Sequence, residues 1–113
     1  MSSPTTFDFK DLGTMAVITP KGEIGYPEAA PFRTAIKQAQ DKKMPRVVVD
    51  LSGVSFMSTP GLATLVEALQ TSKRTSTALV LCGLQDRVRA VFEIARLQTV
   101  FKIVPSIASA MEP

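Results

Sequence analysis

Apolar residues recur along this chain with two periods, and the alternation between them predicts the fold. Thr6-Phe7-Asp8-Phe9-Lys10 alternates apolar with polar side chains. Thr14-Met15-Ala16-Val17-Ile18-Thr19 is β-branched and apolar, and Gly13 marks a turn between the two segments. Together they predict an antiparallel hairpin, whose second strand Pro20-Lys21-Gly22 is expected to end. After Pro27-Glu28-Ala29-Ala30-Pro31, the residues Phe32, Ala35, Ile36 and Ala39 take the spacing of one buried helix face. Lys42, Lys43 and Pro45 close that helix, because cations favour a helix C-terminus and proline cannot continue one.

The short apolar run Arg46-Val47-Val48-Val49-Asp50-Leu51 suits a strand covered on both faces. Ser52 to Met57 leads into a second helix starting near Pro60, with Leu62, Leu65, Val66 and Leu69 on its buried face and Lys73-Arg74 closing it. Thr77 to Cys82 is a further strand, stopped by Gly83. A third helix carries Val88, Val91, Phe92 and Ala95 on one face; Val100 to Val104 is the last strand, and Ile107 to Met111 a short final helix. Helix and strand thus alternate after an opening hairpin. The expected fold is α/β, a single domain over residues 1–113 with a mixed, mainly parallel sheet covered by helices.

Composition narrows the function. A chain of 113 residues supports one core, and 45% hydrophobic with 20% charged residues describes a packed globular protein. The net charge of +3 is spread without a basic run, which argues against nucleic acid as a partner. Cys82 is the lone cysteine, so an internal disulfide or a thiolate zinc cage is excluded, and its apolar setting reads as a small buried hydrophobe. Histidine is absent, which removes Ser-His and Cys-His nucleophilic pairs and His-ligated metal sites. No enzyme, catalytic residue, metal or cofactor is therefore expected. No apolar stretch reaches the roughly 20 residues of a membrane span, and Met1 to Thr6 lacks a secretion signal's basic start and apolar middle. A cytoplasmic protein without direct membrane insertion is expected.

Asp50 and Glu23 sit at strand ends with no nucleophile or oxyanion donor evident beside them, so structural or partner-contacting roles suit them better than acid–base catalysis. Gly53 and Gly61 are not followed by Gly-Lys-Ser/Thr and form no phosphate-cradling loop. Gly61 is expected to let the second helix approach the sheet closely. Phe56 and Met57 are assigned to core or rim packing; exposure of either would favour a docking surface.

The segment Val47-Val48-Val49-Asp50-Leu51-Ser52-Gly53-Val54-Ser55-Phe56-Met57-Ser58-Thr59-Pro60-Gly61-Leu62 resembles the signature of the STAS family, named for sulfate transporters and anti-sigma factor antagonists. That signature is an apolar strand, Asp-Leu-Ser-X-Val, an aromatic residue, then a small polar cluster and Gly-Leu opening a helix. Gly22-Glu23-Ile24 is similar to the family's Gly-Glu-Leu turn after the second strand. The resemblance to the antagonist branch implies a non-enzymatic partner-switching regulator. Its partner would be an anti-sigma factor that is also a serine kinase of the histidine-kinase-like ATPase type. The docking surface implied comprises Gly22, Glu23, Ile24, Gly25 and Tyr26 beside Ser58, Thr59, Pro60, Gly61 and Leu62.

In that branch the kinase phosphorylates a serine in an Asp-Ser-Ser-Gly cluster. Aligned on Gly61, the usual acceptor is Pro60, which has no hydroxyl, and the acidic position is Ser58. The acidic residue that commonly follows Gly-Glu-Leu is replaced by Gly25. Thr59 then becomes the candidate acceptor, with Ser58 second. The plain alternative makes Thr59 a helix N-cap, with Pro60 at the first helical position where a missing N–H costs nothing. A helix N-terminus also has spare N–H donors that would receive a phosphate. A rival function follows from the lost serine: a STAS-like adaptor or structural subunit of a larger cytoplasmic or transporter-associated complex, never phosphorylated.

Overall fold

The computed structural model describes residues 4–112, so the ends of the expected domain, Met1 to Ser3 and Pro113, lie outside the described residues. Strands β1 (Thr6–Asp11) and β2 (Met15–Ile24) form the hairpin, followed by helix α1 (Ala29–Asp41) and strands β3 (Arg46–Asp50) and β4 (Gly53–Met57). Helix α2 (Thr59–Thr75), β5 (Ala78–Cys82), α3 (Asp86–Ile94), a 3-10 turn at Leu97–Thr99, β6 (Lys102–Val104) and α4 (Ile107–Ala110) complete the order. The sheet runs β1-β2-β3-β5-β6, with β4 paired to β2. Among the described residues only β1 and β2 are antiparallel; the other pairs are parallel, as the alternating pattern predicts.

The departures from the sequence reading cluster around β2 and β4. β2 does not end at Pro20; it continues to Ile24, so Gly22-Glu23-Ile24 is strand rather than turn. Its first half pairs with β3, ending at Ile18↔Val49, and its second half with β4, starting at Lys21↔Gly53. Pro20 falls opposite the break between those ladders, so its missing N–H costs no inter-strand bond on that side. A bulge between Gly22 and Glu23 re-aims the strand, and Gly22 takes φ +119, a conformation open to glycine. Ser52 to Met57 is not a plain lead-in to α2, since β4 occupies most of it.

Smaller shifts have local causes. α1 starts at Ala29 with Pro31 inside its first turn, where no intrahelical acceptor awaits an N–H. Ala95 lies beyond α3 and is exposed, and the last strand is shortened by the 3-10 turn.

Helices α1, α2 and α3 cover one sheet face. Phe32, Ile36, Leu65, Val88 and Phe92 are fully buried there against Ile18, Val47, Val49 and Leu81. Phe7 stacks on Phe32 and Phe92 meets Phe101 edge-on. The opposite face is a smaller cluster of Met15, Val17, Val48, Val80 and Cys82, packed with Ala110 of α4. Arg46 ties that end of the chain down by donating to the carbonyl oxygens of Ala110 and Glu112. The result that matters for function is geometric. The C-terminal ends of β2 and β4 lie side by side and open directly onto the first turn of α2.

Candidate functional site

The N-terminus of α2 is built by Ser58, not Thr59. Ser58 is buried and extended, and its Oγ accepts from the Gly61 N–H at 3.3 Å, the standard side-chain cap. Its own N–H donates to the Ile24 carbonyl at 2.8 Å, which locks the cap to the end of β2. The expectation that Thr59 caps the helix is corrected: Thr59 is the first helical residue, exposed, and Pro60 the second. Proline is tolerated at either position, because neither N–H has an intrahelical acceptor. Thr59 makes no side-chain hydrogen bond among the described residues, so its hydroxyl is free.

The expected cradle of spare N–H donors is also corrected. Pro60 contributes none, the Gly61 N–H is used by Ser58, and the Leu62 N–H donates to the Ser58 carbonyl. Among the described residues the Thr59 amide is the one first-turn donor without an acceptor. A negative group on Thr59 would therefore meet little compensation from the helix backbone itself.

Gly61 sets how closely this turn sits to the sheet. A Cβ there would lie 2.8 Å from Ile24 Cγ2 and 3.1 Å from Met57 Cγ, so only glycine allows the approach. Beside it, the Gly25 N–H donates to Glu28 Oε1 at 2.9 Å, holding the link between β2 and α1. Tyr26, at 72% exposure, projects outward.

The ten residues expected to dock a partner are thus brought together, but in two roles. Glu23, Tyr26 and Thr59 are exposed, and Gly22, Gly25 and Pro60 are half-buried. Ile24, Ser58, Gly61 and Leu62 are buried and act as the frame that positions the others.

Phe56, whose exposure favours a docking surface, borders a groove that the sequence pattern did not show. Phe56 on β4 is 48% exposed while Met57 is buried. A groove of about 560 Å3 separates β4 from α3, lined by Glu23, Phe56, Met57, Arg87, Ala90 and Val91. Ala90 and Ile94 are exposed on the outer side of α3, and Val91, expected on the buried face, packs partly against the core while also lining the groove. A wider groove, about 590 Å3, lies between α1 and α2, away from this surface. Its walls are tied across by Gln40, which donates to the Ala68 carbonyl and Ser72 Oγ, and by the Arg33–Glu67 ion pair.

The other polar candidates are structural. Asp50 Oδ1 accepts from the Ser52 N–H at 3.0 Å and shapes the turn between β3 and β4. Burial, with the Asp50 carboxylate adding to it, pushes the Cys82 thiol up to about 12, far from a reactive thiolate. Among the described residues no group of three His, Cys, Asp or Glu is placed to hold a metal ion, and no helix is long and apolar enough to cross a membrane.

Comparison with known proteins agrees with this fold. The family model described as the STAS domain matches residues 6–110. The anti-sigma-B factor antagonist of Listeria monocytogenes is 34% identical over 82 residues, covering 73% of this chain and 72% of that protein. A crystal structure of an anti-sigma factor antagonist from Mycobacterium paratuberculosis superposes with a TM-score of 0.88 at 23% identity, covering 98% of this chain and 96% of the other. The phosphorylated form of SpoIIAA, a Bacillus cell-fate determinant, superposes at 0.72 with 16% identity, covering 93% and 96%.

Proposed function

This chain belongs to the STAS domain family as a non-enzymatic anti-sigma factor antagonist, and we propose that it switches its anti-sigma partner through phosphorylation of Thr59. The carrying observation is the division of labour at α2: Ser58 is buried and consumed as the cap, while Thr59 stands exposed with a free hydroxyl. The partner on this reading is an anti-sigma factor that doubles as a serine/threonine kinase of the histidine-kinase-like ATPase type, met in the cytoplasm. Glu23, Tyr26 and Thr59 form the contact surface, with Gly22, Gly25 and Pro60 between them and Ile24, Ser58, Gly61 and Leu62 supporting it from beneath.

The switch follows from charge. A phosphate adds about −1.5 to −2 charges at neutral pH. Since the first-turn donors are mostly spent, little of that charge is neutralised within the chain. It falls on the docked partner instead, and repulsion and desolvation loosen the complex. Thr59→Glu should therefore weaken binding to the anti-sigma factor well beyond Thr59→Ala.

One observation favours a second reading. Pro60 stands where the family's usual acceptor serine would be, which suits a constant-binding adaptor that is never modified. Incubation with the cognate kinase and ATP, followed by peptide mass spectrometry, separates the two. Phosphothreonine at 59 with unmodified Ser58 is the expected result. If both hydroxyls stay unmodified while a known substrate is phosphorylated in the same tube, the adaptor reading replaces the switch.

A further inference from the structure

We infer that the anti-sigma factor is also gripped by a second, charge-independent anchor: the apolar stripe of Ala90, Val91 and Ile94 on α3 with Phe56 of β4. This inference rests on the proposed docking surface and extends it.

Val91 packs partly against the core, while Ala90 and Ile94 are exposed and do no structural work inside the chain. The inward face of α3 is Val88 and Phe92, both fully buried, and Phe92 packs edge-on against Phe101. Ile94 is 85% exposed, the most exposed of the large apolar side chains among the described residues, and Phe56 is 48% exposed. Ala90 and Val91 line the same groove as Phe56, and Ile94 follows them at helical spacing on the same side of α3. Single exposed apolar residues are ordinary, but a contiguous set beside a groove marks a contact surface.

Continuity identifies the occupant. Glu23, one of the exposed residues of the docking surface, is itself a wall of the groove, and Met57 of the groove directly precedes Ser58. Four side chains fall well short of the roughly 20–30 residues a side of a stable interface. The stripe is therefore part of a larger contact, and the surface contiguous with it is the one around Thr59. Arg87 and Glu23 flank the apolar floor with opposite charges, which fixes the sense in which a complementary ridge of the partner can lie.

The two parts of the interface then differ in kind. The Thr59 side responds to charge, and the α3 side does not.

The test is calorimetry of the purified cognate anti-sigma factor against wild type, Ile94→Asp, Thr59→Glu and the double variant. Thermal unfolding serves as a control, since an 85% exposed side chain should be replaceable without loss of fold. Ile94→Asp should weaken binding at least about tenfold, as for an anchoring interface residue. The loss should be similar in the Thr59→Glu background, as expected of independent sites. If Ile94→Asp binds within about twofold of wild type while Thr59→Glu is weakened, the switch surface stands and the α3 anchor is refuted. If Ile94→Asp weakens binding and Thr59→Glu does not, the anchor stands and the charge switch fails. Sedimentation of the chain alone adds a last arm: a wild-type dimer abolished by Ile94→Asp, with anti-sigma binding unchanged, would assign the stripe to a second copy and overturn the inference.

Discussion

Replacing Ser58 and Thr59 separately by alanine should have very unequal consequences for stability, although the two residues are adjacent and chemically alike. Ser58→Ala deletes the acceptor for the Gly61 N–H, and both residues are buried, so no water replaces the lost partner. Cap removal costs about 0.5–2 kcal/mol. The 3.3 Å length keeps the bond from being among the strongest, while burial of the orphaned amide raises the penalty, so a loss of about 1–2 kcal/mol is expected. Thr59→Ala removes an exposed side chain that bonds nothing among the described residues, and its effect should stay within about 0.5 kcal/mol. A domain of 113 residues unfolds with an entropy near 0.24 kcal/mol per kelvin, so about 1 kcal/mol shifts Tm by about 4 °C. Ser58→Ala should thus melt about 4–8 °C below wild type and Thr59→Ala within about 2 °C of it. The acidic pair sharpens the contrast. Ser58→Glu forces a carboxylate into a site only 4% exposed and should lose more than the alanine variant. Thr59→Glu, exposed in a first turn whose donors are mostly spent, should stay within about 0.5 kcal/mol of wild type. Calorimetric melting of the four variants reads all of this. A Thr59→Ala loss equal to or larger than that of Ser58→Ala would refute the assignment of the cap, and with it the free hydroxyl on which the switch depends.

Two further outcomes follow from the core. Leu65→Ala, at a fully buried position of α2 facing the sheet, should lose about 2–5 kcal/mol in urea unfolding, and a loss below about 1 kcal/mol would place that face outside the core. The Cys82 thiol, pushed up to about 12 from 9.0, keeps its proton in the folded state over a range where the unfolded chain releases it. Its contribution to stability is therefore intact below pH 9.0 and lost as pH rises towards about 12. Denaturant unfolding across that window should show a steeper decline for wild type than for Cys82→Ala; parallel declines would contradict the buried, neutral thiol.

Much of the fold was legible in the amino-acid order. The stripes Phe32/Ile36/Ala39, Leu62/Leu65 and Val88/Phe92 each have one dominant period and one covered face, and local periodicity is enough to specify such helices. The runs Val47–Val49 and Leu79–Cys82 are strands buried on both faces, which reads as continuous apolar sequence. The family resemblance was carried by the same region, from Val47 to Leu62, where strand, turn, second strand and helix start follow closely on one another.

What the local pattern could not show depends on partners distant in sequence. Ser52 to Met57 has a loop-like composition, and it becomes β4 because the far half of β2 supplies a ladder for it. That half exists as strand despite Pro20 because β3 and β4 leave a gap opposite the proline. The choice between Ser58 and Thr59 as cap is of the same kind. Both are hydroxyl residues preceding a proline, and sequence spacing alone does not distinguish a proline at the first helical position from one at the second. The Ile24 carbonyl decides it, by taking the Ser58 N–H at 2.8 Å and holding that residue extended at the end of the neighbouring strand. The exposure of Thr59, and of Phe56 and Ile94 beyond it, is then a property of how β4, α2 and α3 pack together. Burial is a sum over neighbours from the whole chain, which no single segment contains.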